Sequence, residues 1–381
     1  MRVPDGWKQR RLGDVLTLLN GRAYKKDELL DQGTPVLRIQ NLNGGDRWYY
    51  SNLELPSNKY CDDGDLLFAW SATFGPYIWR GSKCIYHYHI WKIELGPELD
   101  KGFAYYLLQD ITDAVKAAGR GISMLHMTKG GMEDWLVYLP PLDEQRRIAG
   151  ILDQADALRR LRARALDKLN TLGQAIFQEM FGGGNDSQIK KLKDVAELIN
   201  GDRSSNYPSG DEIKHNGILF LSTKNIREWR LDLTQAQFIS QEKFATLSRG
   251  KLQRGDIIIT LRGTLGQAAI FDCAHETGFI NAQMMIIRPR AKLGSKYLLD
   301  YLAHDRTQYE LNKGQSGSAV KQLTAKQVGE LSVVVPTLEQ QAIYSKKMAA
   351  CDTARISATQ QSNKANTLFT SLQHRAFRGE L

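Results

Sequence analysis

Long apolar runs are absent from this 381-residue chain, and nothing approaches the roughly 20 residues of a membrane-spanning helix. No apolar stretch follows Met1-Arg2-Val3-Pro4-Asp5, so no secretory leader is expected. Cysteine is scarce. Cys61, Cys84, Cys273 and Cys351 are scattered without CxxC spacing, which argues against a disulfide framework or zinc site and for a reduced, cytoplasmic setting. Motifs for chemistry are missing too. There is no Gly-x-x-x-x-Gly-Lys-Ser/Thr loop for a nucleotide, and Gly182-Gly183-Gly184 lacks the following lysine and reads as a helix end. An adenine methyltransferase needs Asn or Asp before Pro-Pro, whereas Pro140-Pro141 follows Leu139 and the later Val335-Pro336-Thr337 departs further. His87-x-His89, even with His126, has no acidic or cysteine partner at useful spacing and reads as a polar strand pair rather than a metal site. No catalytic residue, metal or cofactor is therefore expected on this chain.

Net charge is missing from one part only. The chain totals +9, but residues 1–142 carry 17 basic and 17 acidic side chains, against 21 and 16 for residues 181–338. A polyanionic partner is compatible with this, and in the first part it requires a local basic patch.

What is present comes twice. Leu12-Gly13-Asp14-Val15, running on to Asn20-Gly21, returns as Leu192-Lys193-Asp194-Val195 and Asn200-Gly201. Gly64-Asp65-Leu66-Leu67 returns as Gly255-Asp256-Ile257-Ile258, and Leu139-Pro140-Pro141-Leu142-Asp143-Glu144-Gln145 as Val335-Pro336-Thr337-Leu338-Glu339-Gln340-Gln341. Asn281-x-Gln283 stands where the first copy has His87-x-His89. Two copies of a large unit predict a pseudo-two-fold molecule.

Each copy opens with short apolar runs between Gly, Asn, Asp and Pro breaks, such as Val36–Ile39, Asp65–Trp70, Ile218–Leu221 and Ile257–Ile259, which read as strands. Helical stretches at Phe103–Leu108 and Lys296–Leu302 make the unit mixed α and β. Each copy closes with one long helix of about 38 residues, roughly 55 Å. In the first, Ile151, Ala155, Leu158, Arg162, Ala165, Leu169, Leu172 and Ile176 form a seam at alternating spacings of four and three. The second repeats it more weakly, with Ala354, Ala358, Ala365, Leu368 and Leu372 beside Lys347, Cys351 and Gln361, and opens on a Thr337–Gln340 capping box. The expected fold is α/β (mixed α+β). Two globular domains, 1–142 and 182–338, are separated by an antiparallel coiled coil of helices 143–181 and 339–381.

Taken in order and in duplicate, these motifs resemble the specificity subunit of a Type I restriction–modification system. Trp7 through Leu12-Gly13-Asp14, the Gly-Asp pairs, the two helix-start signatures, Asp153, Asp156 and Asp352, and the tail Phe377-Arg378-Gly379-Glu380-Leu381 carry the resemblance, which spans essentially the whole chain. It implies two target recognition domains joined by conserved helices, with no catalysis of their own. It further implies a bipartite double-stranded DNA target, one half per domain. Two modification (methyltransferase) subunits would join it, and in a restricting complex two translocase–nuclease subunits. S-adenosylmethionine, ATP and magnesium would belong to those partners. Lys347, Gln361 and Thr337 depart from the first copy, which puts the second helix's docking to a modification subunit in doubt.

Recognition domains diverge, so the DNA-facing residues follow from what a duplex requires: cations for phosphates, and amide, hydroxyl or planar groups for base edges. In the first copy these are Arg22, Tyr24, Lys25 and Lys26 after the Asn-Gly turn, then Trp70, Ser71 and Thr73, then Arg120, Ser123 and Lys129. In the second they are Arg203, Ser204 and Ser205, then Arg262 and Thr264, then Lys313, Gln315, Ser316 and Lys321, with Lys224 and Asn225 at a further loop. The basic run Arg159, Arg160, Arg162 and Arg164 reads as a solvated or partner-facing helix surface. The rival from another class is a coiled-coil scaffold whose globular units bind protein partners. Salt-dependent DNA binding separates the two.

Overall fold

The structure, a computed structural model, describes residues 6–118, 128–182, 188–290, 292–313 and 322–381. Two compact units emerge, one from Met1–Leu166 with Ala358–Leu381 and the other from Asp167–Ser357. Each unit therefore takes half of each long helix, Leu142–Phe181 and Leu338–Ala376. No helix among the described residues is long and apolar enough to cross a membrane.

In the first unit the strands run β1 (Lys8–Arg11), β2 (Leu16–Asn20), β3 (Thr34–Leu37), β4 (Tyr49–Ser51), β5 (Tyr60–Cys61), β6 (Leu66–Ala69), β7 (Gly75–Ile78), β8 (Cys84–Tyr86), β9 (Ile90–Leu95) and β10 (Leu136–Leu139). They form sheets ordered β2-β9-β6-β7 and β4-β3-β8-β5, plus the ribbon β1-β10. The second unit follows with β11 (Gln188–Lys191), β12 (Ala196–Asn200), β13 (Ile218–Leu221), β14 (Ile226–Arg227), β15 (Arg230–Leu231), β16 (Gln237–Ile239), β17 (Ile257–Thr260), β18 (Ala268–Ile270), β19 (Gly278–Ile280), β20 (Met284–Pro289) and β21 (Ser332–Val335). Its sheets are β12-β20-β17-β18 and β16-β13-β19, with ribbon β11-β21 and hairpin β14-β15. The repetition extends to register. Asn20 pairs with Trp91 as Asn200 pairs with Met285, and a parallel strand pair recurs in each unit, Leu37 with Tyr86 and Leu221 with Ile280.

The duplicated motifs prove to be joints. Gly64 and Gly255 sit at φ +87° and +88°, a backbone that glycine adopts without Cβ strain. The aspartate that follows accepts from a backbone N–H three residues back, Asp62 to Asp65 and Gln253 to Asp256, both at 2.8 Å. It also holds a cation from the neighbouring strand: Lys92 at 2.6 Å from Asp65, and Arg288 bidentate on Asp256 at 2.8 Å. In the helix-start signature the glutamine is buried. Gln145 donates to Glu98 O and Pro140 O and accepts from Asp100 N; Gln341 donates to Lys292 O and Pro336 O and accepts from Gly294 N. One amide thus fastens the start of each long helix to the loop that leads into an earlier helix, Lys101–Ala118 in one unit and Ser295–Ala303 in the other. The Thr337–Gln340 capping box forms reciprocally, at 3.0 and 3.2 Å.

The long helices run antiparallel within each unit. In the first, Arg147 donates to Leu381 O and Arg159 lies 4.5 Å over the Phe369 ring, so the partner number falls as the helix number rises. In the second, Leu169 O lies 3.9 Å from Cys351 Sγ, and a Cβ at Gly173 would lie 3.0 Å from Met348 Cε. Both helices also enter each unit's core. Ile148, Leu152, Ala155, Phe369 and Ala376 pack with Phe103 and Leu107 in one, and Phe177, Phe181, Tyr344 and Met348 with Tyr297 and Leu298 in the other. That wider contact corrects the expected seam at alternate positions. Leu158, Leu172 and Leu368 are 38%, 41% and 47% exposed, and Ala165 and Ala354 are exposed as well. Their places on the inner face go to Leu152, Arg159, Leu166 and Gly173, and to Arg355, Ser362 and Phe369. Ala155 and Ala365 are buried, and Ile151, Leu169, Ile176, Ala358 and Leu372 half-buried. Arg159 and Arg160, expected to face solvent or a partner, both bind the buried Asp156 carboxylate.

Candidate nucleic-acid interface

In each unit the ends of two sheet strands and one tight turn meet at a common edge. In the first, Gly21 N donates to Ile90 O, Tyr88 N to Arg22 O, and Trp70 N to His89 O. This brings the end of β2, the end of β6 and the β8–β9 turn together. In the second, Gly201 N donates to Met284 O and Leu261 N to Gln283 O, bringing together β12, β17 and the β19–β20 turn. His87 N and Asn281 N donate to equivalent carbonyls, Leu37 O and Leu221 O, both at 2.9 Å, so the histidine turn and the amide turn occupy the same structural position.

The two edges carry different chemistry. The first is aromatic: Tyr24 stacks on His87 at 6.4 Å, His87 lies 4.9 Å from His89, and Trp70 meets His89 edge-on at 5.1 Å. Trp70 also donates through Nε1 to Tyr88 O and packs on the core, so its indole N–H is used inside the unit. Arg22 is bidentate on Glu28 at 2.7 and 2.9 Å and stacks on Tyr24, which removes it from the free cations. The Tyr24 hydroxyl points to Tyr86 O. Lys25 and Lys26 are exposed, Ser71 is half-buried, and Thr73 accepts from Asn43 at 2.7 Å. Lys129 opens the short helix Lys129–Glu133 and pairs with Glu133 at 3.5 Å. Arg38 and Arg47, overlooked in the sequence, both stack on Tyr49.

The second edge is cationic. Arg203, Arg249 and Arg262, with Asn200, Gln322 and Thr324, line a cleft of about 360 Å³ that holds no acidic residue among the described ones. Asp202, next to Arg203, is turned inward. Hydrogen bonds from Ser204 and Ser248 hold its carboxyl well below the usual range. Arg203 donates to Ala282 O at 3.2 Å, and Arg262 Nε to Gln322 Oε1 at 3.1 Å. Ser204, Ser205, Thr264, Lys224 and Lys313 are exposed. Asn225, expected to read bases, is 5% exposed and closes its own loop, accepting from Ser222 N and donating to Asp232 O. Asn41 does the same in the first unit, accepting from Arg38 N and donating to Arg47 O. Arg120, Ser123, His126, Gln315, Ser316 and Lys321 lie outside the described residues. Arg249 was missed although its loop matches Ser57-Asn58-Lys59 of the first copy, where Lys59 reaches Asn20 O at 2.6 Å; the shared serine and the neighbouring cation are the signal.

His87 gives this edge a pH signature. Burial, then His89 and Arg38, lower its pKa from 6.5 to about 4. The groups around it are Tyr24, Tyr88, His89, Arg22 and Arg38; the nearby Glu28 is already engaged by Arg22. A depressed histidine leaves the unfolded chain binding more protons, so stability is full above pH 6.5 and falls as pH drops towards 4. The loss should be roughly 1–3 kcal/mol, discounted for partial exposure of the ring. His87→Asn, the residue that the second copy carries here, is expected to remove that part of the acid sensitivity. Melting curves of both proteins from pH 4 to 7 check it, and parallel acid losses would refute it.

Among the described residues, no group of three or more His, Cys, Asp or Glu side chains could hold a metal ion. The family model described as the Type I restriction modification DNA specificity domain matches twice, over residues 4–171 and 184–366. The chain is 26% identical to the Type I restriction enzyme EcoBI specificity subunit of Escherichia coli, over all of this chain and 87% of that one. It is 23% identical to the MjaVIII specificity subunit of Methanocaldococcus jannaschii, over 92% and 87%. Among solved structures, a chain from a study of type I R-M assembly and conformational transition superposes at TM-score 0.63 with 21% identity, over the full length of both. The type I S subunit of M. genitalium gives 0.56 with 15% identity, over 99% and 98%. At these identities the superpositions speak for the fold.

Proposed function

This chain belongs to the Type I restriction–modification DNA specificity family, as a non-catalytic subunit that serves DNA sequence recognition, and on that premise we propose that it reads a bipartite duplex target. Each unit reads one half. The supporting observation is the duplicated edge: one scaffold, with the same strand ends and the same turn, furnished with aromatic and imidazole groups in one copy and with arginines and amides in the other. Identical positions bearing different donors suit two different half-sites.

In this reading residues 1–142 and 182–338 are the target recognition domains, and helices 143–181 and 339–381 are the connectors that gather the partners. Those partners are double-stranded DNA, two modification subunits and, in a restricting complex, two translocase–nuclease subunits. S-adenosylmethionine, ATP and magnesium act on those chains. The exposed Lys25, Lys26, Lys224 and Lys313, with Arg203 and Arg249 of the cleft, supply phosphate contacts, which makes binding salt-dependent.

Co-expression with a modification subunit, followed by mapping of methylated adenines in the host genome, tests the proposal. A split motif of two short specified halves around a fixed gap is expected. Exchange of residues 1–142 for another such domain should change one half and leave the other. Absence of new methylation despite a stable complex would refute the reading, and so would methylation by this chain alone.

A further inference from the structure

The three arginines of the cleft are not held alike. Arg203 spends a terminal nitrogen on Ala282 O, and Arg249 stands exposed beside the exposed Ser248. Arg262 is fixed at both ends. Its backbone lies in an antiparallel bridge with Gln322, and Leu323 N donates to Leu261 O at 2.9 Å, so the segment is in register with the end of β17. Gln322 is anchored in turn by Thr324, whose hydroxyl accepts from Gln327 N and caps the helix Ala325–Gly329. At the far end, Arg262 Nε–H donates to Gln322 Oε1.

That one hydrogen bond fixes the plane of the guanidinium and consumes its Nε edge. What remains is the Nη1/Nη2 edge, two parallel N–H groups. In the major groove only guanine offers the matching pair of acceptors, O6 and N7. Among the described residues, no carboxylate lines the cleft to compete for that edge. In the first unit Trp70 N donates to His89 O as Leu261 N donates to Gln283 O, so Ser71 stands where Arg262 stands. A serine hydroxyl both donates and accepts and cannot supply that fork.

We propose that Arg262 reads a guanine in the half-site of the second unit, that Gln322 is its positioning residue, and that the first unit has no guanine reader at the equivalent place. This rests on the bipartite DNA reading above. Arg203 and Arg249, flanking it, serve the phosphates.

The test uses the full chain assembled with modification subunits, in competition binding against sites carrying each single-base change. The wild type should prefer guanine over other bases by about tenfold to a hundredfold at one position of one half. Arg262→Ala should reduce that preference to within about threefold and leave every other position, and the other half, unchanged. Arg262→Lys should fail to restore it, because an ammonium is a point charge without the planar fork. Gln322→Ala should relax the same position partially, whereas Arg249→Ala should weaken all sites alike. Equal weakening of every site by Arg262→Ala would overturn the proposal, and so would relaxation at a position that is not guanine. If Arg262→Ala prevents assembly, Gln322→Ala and Arg262→Lys decide alone, and unchanged preference in both overturns it. The underlying reading fails separately, if the wild-type complex prefers no split site at all.

Discussion

Asp256→Ala is expected to destabilise the second unit by about 3–5 kcal/mol, the cost of removing one partner from a buried ion pair. The Asp256 side chain is 2% exposed and takes two hydrogen bonds from Arg288 and one from Gln253 N. Its removal takes from Arg288 its bidentate partner, leaving it the more exposed Glu197 at 3.8 Å and Lys251 O, and takes from the Gly255 turn its side-chain cap. The matching change in the first unit, Asp65→Ala, should cost less, about 1–2 kcal/mol. There Asp65 and its partner Lys92 are 27% and 18% exposed, so water compensates part of the loss. Thermal unfolding followed by calorimetry checks both, with the lower transition moving further in Asp256→Ala than in Asp65→Ala. Equal shifts would mean that burial does not set the strength of this joint. DNA recognition should fail in one half only, because each joint lies within one unit.

Gly201→Ala is expected to weaken recognition of one half-site with little effect on the other, and Gly21→Ala the converse. An alanine Cβ at Gly201 would lie 2.3 Å from Asn281 O, and at Gly21 2.2 Å from His87 O. Both contacts are to backbone, so no side chain can rotate away. The turn bearing Asn281 and Gln283, or His87 and His89, must shift instead. Such overpacking costs about 1–3 kcal/mol. The larger effect is functional: displacing the turn that sets the edge should weaken the affected half about tenfold or more, equivalent to losing one good base contact. Binding to DNA with each half scrambled in turn reads the effect. A uniform loss across both halves would show that the turn is structural and reads nothing.

Much of the fold was legible because the repeated motifs are backbone devices. A left-handed glycine before an aspartate that caps a turn acts through neighbours in sequence, and the glutamine three residues into each long helix binds only main-chain groups, near and far, so both leave the same letters in the two copies. The positions of the candidate edges were legible for the same reason, since Asn20-Gly21 and Asn200-Gly201 mark where a strand stops against another backbone. Asn225 shows the limit. Its loop was found, yet its polar atoms turn inward, as those of Asn41 do, because a tight loop needs an amide to satisfy its own N–H and C=O groups.

The helices mark the boundary most clearly. Sequence alone fixed that there are two, where they start, and that they are long, because Pro-Pro, the capping box and the uninterrupted spacing are properties of one segment. Which face turns inward was decided by tertiary structure. The pattern offers Ile151 beside Leu152 and Leu158 beside Arg159, and spacing does not choose between neighbours. Arg159 faces inward because Asp156 neutralises it and the Phe369 ring receives its guanidinium, partners that lie one turn away and about 200 residues away. A half-buried charge is tolerated here because its counter-charge and ring already stand beside it, and only the folded chain brings them there.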